Sequence, residues 1–92
     1  MVDARGLAGS PDASSTLRSV VEVIARALVD HPDAVRVTDS QRRGMTVLEL
    51  TTAPGDMGKI IGRQGRTAAA LRTLVALTAE KQGVRAQLDI RD

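Results

Sequence analysis

The chain has 92 residues, 42% of them hydrophobic, with no cysteine and no Phe, Tyr or Trp. That length makes one small domain near the lower limit for a self-sufficient core; the missing cysteines exclude disulfides and thiolate metal sites, and the missing aromatics exclude modules that stack bases on rings. A formal net charge of +2 conceals a local imbalance: Met57 to Ala79 carries Lys59, Arg63, Arg66 and Arg72 and no acid, while the other 69 residues hold nine cations and all eleven acids.

Residues 1–15, MVDARGLAGSPDASS, are rich in small and polar residues without sustained periodicity and read as a flexible arm, leaving 16–92 as the domain. The arm has no apolar run of signal-peptide length. No stretch of the chain approaches a membrane span of roughly 20 apolar residues, so a soluble cytoplasmic protein with no membrane partner is expected.

Ser15 is placed to cap a helix running to about Asp30, with Leu17, Val20, Val21, Ile24, Ala25 and Leu28 on one face at helical spacing. The His31-Pro32 pair ends it, because the residue before proline disfavours the helical region. A strand follows, with Val35 and Val37 alternating against Arg36 and Thr38. A polar turn from Asp39 to Gly44 then leads to a second strand, Met45 to Thr52, with Leu48 and Leu50 facing the core. Ala53-Pro54-Gly55 breaks that strand, and Asp56 is placed to cap a short helix starting at Met57. A longer helix runs from near Arg66 to about Gln82, stopped by Gly83. Val84 to Ile90 alternates apolar and polar residues as a half-buried closing strand. The order is α-β-β-α-α-β, an α+β domain.

Between the last two helices lies GKIIGRQG, Gly58 to Gly65. Glycine weakens a helix interior by about 1 kcal/mol relative to alanine, so three in eight positions require a return that local stability does not give. Gly62 and Gly65 remove Cβ atoms that would hold a phosphate-sugar backbone away. The following helix directs its free N–H groups and the positive end of its dipole to the same place. Lys59, Arg63 and Arg66 add charge, and Gln64 can donate to a phosphate or sugar oxygen. Of Ile60 and Ile61, one is expected to pack into the core and the other to floor a groove, with Ile61 the more structural.

The motif IGRQG, preceded by Ile60 and followed by a long helix, resembles the I-G-x-x-G core of KH domains, and the element order matches their type II arrangement. More closely, APGDMGKIIGRQGRTAAALRTL, Ala53 to Leu74, is similar to the KhpA family of small bacterial single-KH proteins. The likeness spans the domain and leaves out only the arm. One position departs: Ala68 stands where KH domains favour a bulky aliphatic residue. The resemblance implies a three-stranded sheet packed on helices and about four nucleotides of single-stranded RNA or DNA in a groove beside the loop. It implies an RNA-binding site at Lys59, Ile60, Ile61, Gly62, Arg63, Gln64, Gly65 and Arg66, with no cofactor and no catalysis. It also implies an RNA-chaperone or post-transcriptional role, in relatives linked to cell elongation and peptidoglycan homeostasis, through a homodimer or a heterodimer with a KhpB/Jag-type protein. Independently, nine of the thirteen residues from Thr67 to Ala79 are apolar and spread around most of the helix, which suggests a second buried side.

Other phosphate-binding and catalytic readings fare worse. Gly55 lies only three residues before Gly58-Lys59, and Ile60 follows, so a P-loop fails on spacing. Glycines at 58, 62 and 65 do not make a G-x-G-x-x-G turn. His31 is the sole histidine, and a helix C-terminal dipole accounts for it. Two alternatives remain: a protein-interaction module with secondary RNA binding, and a helix-hairpin-helix-like grip on duplex DNA. The Arg42-Arg43 pair is left outside the site as a solvated basic turn.

Overall fold

The computed structural model describes residues 13–91. Six elements follow in order: α1 (Ala13–Leu28), β1 (Arg36–Arg42), β2 (Met45–Thr51), α2 (Met57–Ile61), α3 (Arg66–Gln82) and β3 (Arg85–Arg91), with short 3-10 turns at Pro32–Ala34, Pro54–Asp56 and Arg63–Gly65. The α-β-β-α-α-β order is therefore observed. Most of the expected arm lies outside the described residues, although Ala13 to Ser15 are helical and Ser15 sits inside the first turn of α1 instead of capping it.

The strands form one sheet of order β1-β2-β3, with β1 antiparallel and β3 parallel to β2. A parallel pair needs a crossover connection, and the α2–α3 segment provides it. Helices cover one face. Leu17, Val21 and Ala25 on α1, spaced four apart, meet Val35, Val37, Leu48, Leu50 and Leu88 from the sheet side and Leu71, Val75 and Ala79 from α3 in a single core. Burying each Leu or Val side chain is worth roughly 1.5–3 kcal/mol of transfer free energy, so this stripe, more than helix propensity, holds α1 in place. Leu48 and Leu50 face the core as expected, whereas Val47 is buried on the opposite face between Ser40 and Gln87 in register.

β1 extends further than its sequence suggests. The polar stretch Asp39 to Arg42 pairs with Leu48 to Met45, and only Arg43 and Gly44 form the turn. Those polar side chains find partners across elements: Arg18 donates to Asp39 at 2.7 Å, and Gln41 donates to Ser14 at 3.1 Å and to buried Thr46 at 2.8 Å. At the other end of the domain Gly83 stops α3 in the left-handed region, and the Val84 N–H returns to the Ala79 carbonyl at 2.9 Å, a Schellman-type close. Among the described residues, no helix is long and apolar enough to cross a membrane.

Candidate nucleic-acid interface

The loop occupies the junction of α2 and α3. The Gly62 N–H donates to the Gly58 carbonyl at 2.8 Å and closes α2; the chain then turns through Gly62 (φ 75, ψ 173), Gln64 (φ 56, ψ 25) and Gly65 (φ 74, ψ 13) into α3. Helix α3 opens on Gly65 with no side-chain cap. Although the Arg66 N–H is taken by the Arg63 carbonyl, the N-terminal turn presents the positive end of a seventeen-residue helix dipole beside the loop.

The two glycines serve different purposes. A Cβ on Gly62 would overlap the Thr67 side chain, lying 2.7 Å from its Cβ, so this glycine is demanded by the protein's own packing as well as by its dihedrals. A Cβ on Gly65 would meet open space. Only Gly65 therefore fits the expected role of clearing an approach. Gly58, although inside α2, also has nothing within 4 Å of a Cβ, so close packing of the short helix does not explain it.

The isoleucines reverse the expected division. Ile60 is fully buried in the core and unavailable to floor a groove, while Ile61 is half-buried at the surface. Helical geometry explains this: Ile60 follows Met57 by three residues, and Met57 also packs against the core, whereas Ile61 is turned by about 100° from that face. Ala68, at the departing position, is buried on α3.

One cation of the basic stretch is offset by an acid, and two others are hydrogen-bonded to neutral acceptors that leave their charge in place. Lys59 Nζ lies 3.2 Å from Asp30, an acid supplied by the segment after α1; Arg66 donates to Gln64 at 3.1 Å; and Arg72 donates to the Leu88 carbonyl of β3 at 3.4 Å. The Arg63 side chain is exposed and has no ion pair or hydrogen bond among the described residues. It is the loop cation left for a ligand.

A tether missed by sequence reasoning fixes α2. Asp56 is 1% exposed and, contrary to expectation, makes no side-chain cap. Its carboxylate instead accepts from the His31 backbone N–H at 2.9 Å and pairs with His31 Nδ1 at 3.0 Å. Burial pushes its pKa up, but the hydrogen bonds from the His31 ring, the His31 backbone and the Asp30 backbone outweigh that and leave it below the ordinary carboxylate value. His31 therefore answers to Asp56 and not to a helix end, since α1 stops at Leu28. Twenty-five residues separate the pair, and no spacing rule links them. The one available signal was an aspartate directly before a five-residue helix too short to hold its own position.

Comparison with known proteins agrees with this geometry. A family model described as the KH domain of KhpA/KhpB matches residues 18–90. The chain is 53% identical over 76 residues to the RNA-binding protein KhpA of Halalkalibacterium halodurans, a match covering 83% of this chain and 100% of the relative. Against the RNA-binding protein KhpA of Caldanaerobacter subterraneus subsp. tengcongensis it is 49% identical, over 77% of this chain and 95% of the relative. Against that of Aquifex aeolicus it is 45% identical, over 83% and 96%.

Proposed function

The chain belongs to the KhpA/KhpB KH-domain family, and from that premise we propose that it is a cytoplasmic, non-enzymatic protein that binds single-stranded RNA through the Gly62–Gly65 loop. The observation that carries the reading is the coincidence of exposed, unpaired Arg63, open space beside Gly65 and the uncapped N-terminus of α3. A phosphate entering there meets a cation, a helix dipole and no Cβ. Gln64 contributes a polar contact, Ile61 supplies the aliphatic surface on which a base lies, and Lys59 and Arg66 join once released from Asp30 and Gln64.

Neutralising two or three phosphates gives a slope of log affinity against log salt of about −1.4 to −2 for a single strand. Fluorescence anisotropy with a short single-stranded RNA pool and a matched DNA duplex tests this. Arg63→Asp with Gln64→Asp is expected to remove RNA binding while the circular dichroism spectrum stays unchanged. A folded double variant that binds as the wild type does, or a preference for the duplex, overturns the reading.

A site of this size is weak, and pairing would strengthen it through avidity. Leu74 and Leu77 on α3 are 43% and 56% exposed on a side turned away from the core, and with Ala70 they follow an i, i+4, i+7 stripe. We propose that this stripe meets a second copy or a KhpB/Jag-type partner. Sedimentation should show a dimer that Leu77→Glu dissociates; a wild-type monomer at high concentration refutes self-association. The wider role in this reading is that of an RNA chaperone, with the link to cell elongation and peptidoglycan homeostasis passing through such a partner. Co-purification with a KhpB/Jag-type protein, lost in Leu77→Glu, is the corresponding check.

A further inference from the structure

Five cationic side chains among the described residues make no ion pair or hydrogen bond: those of Arg42, Arg43, Arg63, Lys81 and Arg85. Arg63 belongs to the loop and Lys81 to the last turn of α3. The other three converge. Arg42 is in register with Met45 on β2, and Met45 is in register with Arg85 on β3, so both arginines stand on the sheet face away from the helices, two strand spacings or about 9.5 Å apart. Arg43 follows Arg42 directly in the hairpin turn.

The sheet face around them is graded. The next row inward, Ser40, Val47 and Gln87, is uncharged, and the row after it holds Glu49 and Asp89. At the far end Arg91 is paired with Glu49 at 3.3 Å. Arg36, in the same far row, donates only to the Asp33 and Val35 carbonyls and keeps its charge, but the arginines on this face whose side chains have no partner at all lie at the hairpin end. Glu80 borders the surface hollow that Met45 and Arg85 share, yet it makes no ion pair with any of the three. The turn itself adds a second observation: Arg43 has φ 52, in the left-handed region where Asn or Gly is favoured, so a long cation is held at a position whose backbone does not suit it.

We propose that Arg42, Arg43 and Arg85 form a second contact surface for the RNA phosphate backbone, distinct from the loop and resting on the RNA-binding reading above. The loop lies at the N-terminus of α3 and Arg85 just beyond its C-terminus, about 25 Å away for seventeen residues at 1.5 Å each. A strand of four nucleotides fills only the groove. A longer strand reaches both surfaces, and the second contact adds affinity without adding sequence readout.

The test compares the full chain with Arg42→Gln/Arg43→Asn/Arg85→Gln, using single-stranded RNAs of about 5 and about 20 nucleotides, lengths that bracket typical single-strand site sizes. Arg43→Asn creates an Asn-Gly turn, which favours the hairpin, so lost binding does not come from a weakened fold. The triple variant is expected to bind the long RNA roughly tenfold more weakly, with a salt slope shallower by about 1.4–2 for two or three lost phosphates, and to bind the short RNA as the wild type does. Unchanged affinity and slope for the long RNA overturn the proposal, as does an equal loss for both lengths. If wild type binds neither RNA, the RNA reading fails and takes this inference with it; if it binds both equally well, only the second surface is refuted.

Discussion

The chain reverses twice through a consecutive pair of positive φ angles. Arg43-Gly44 has φ 52 and 79 and joins two strands; Gln64-Gly65 has φ 56 and 74 and joins two helices. Both place a long polar side chain in the left-handed region and a glycine after it, yet one closes a hairpin and the other exposes a helix N-terminus. Dihedrals alone do not make a binding loop. What sets the second apart is Gly62, which has no counterpart in the hairpin: its extended positive-φ conformation and its contact with Thr67 aim the following residues outward.

Breaking that feature should have the largest effect. Gly62→Ala is expected to cost about 3 kcal/mol or more in chemical denaturation, because an essentially glycine-only conformation costs about 1–3 kcal/mol and the overlap with Thr67 adds to it. Adding Thr67→Ala should return only the part of the overlap due to the Thr67 hydroxyl, because the Cβ of residue 67 stays 2.7 Å away, and should leave the dihedral portion. A double variant as unstable as the single one would show that the Thr67 hydroxyl plays no part.

The loop end is also tethered from outside, as the hairpin is not. Asp56 has its folded pKa below the ordinary value, so its contribution to stability is fully present above that ordinary value, near pH 4, and is lost as pH falls through the lowered one. Denaturation across pH 2 to 7 should therefore show wild type losing stability at acid pH more steeply than Asp56→Asn, with the two curves converging at the acid end. Parallel curves would mean that the His31 contacts do not hold the carboxylate ionised.

Gly65→Ala and Gly44→Ala test the shared backbone directly. Each forces alanine into the left-handed region with no steric clash, so each should cost about 1–2 kcal/mol. Their effects on a short RNA should differ: Gly65→Ala puts a methyl group into the approach and weakens binding, whereas Gly44→Ala leaves it unchanged. Equal effects on binding would break the distinction between the two turns.

Much of this was legible in the sequence because the signals were local. Pro32 and Gly83 marked helix ends, Leu48 and Leu50 marked the core face, and the glycine spacing marked the loop. The rest depended on partners distant in sequence. Asp39 to Gln41 looked like turn residues because Asp is depleted in strands and Ser favours turns, yet their backbone pairs with Leu48 to Thr46 of β2, and Arg18, Ser14 and Thr46 take up the Asp39 and Gln41 side chains. Ile60 and Ile61 are chemically identical, so only the orientation of α2 decides which is buried. Lys59 looked free because Asp30 lies 29 residues upstream and is brought near by the same corner that places His31 on Asp56. The three unpaired arginines were split between two stretches until strand register joined them.

Gly58 yields the smallest effect and the sharpest division between folding and binding. It sits in α2 at a helical position, without positive φ, and a Cβ there would touch nothing. Folding alone favours alanine, which in a helix interior should add about 0.5–1 kcal/mol. Gly58→Ala is therefore expected to stabilise the protein in denaturant. If the glycine serves the ligand, the same substitution should weaken short-RNA binding, because the added methyl group occupies space one turn before Gly62 on the side that α2 leaves open. A variant that is more stable and binds equally well would confine the approach to Gly65 and leave Gly58 without a part in it.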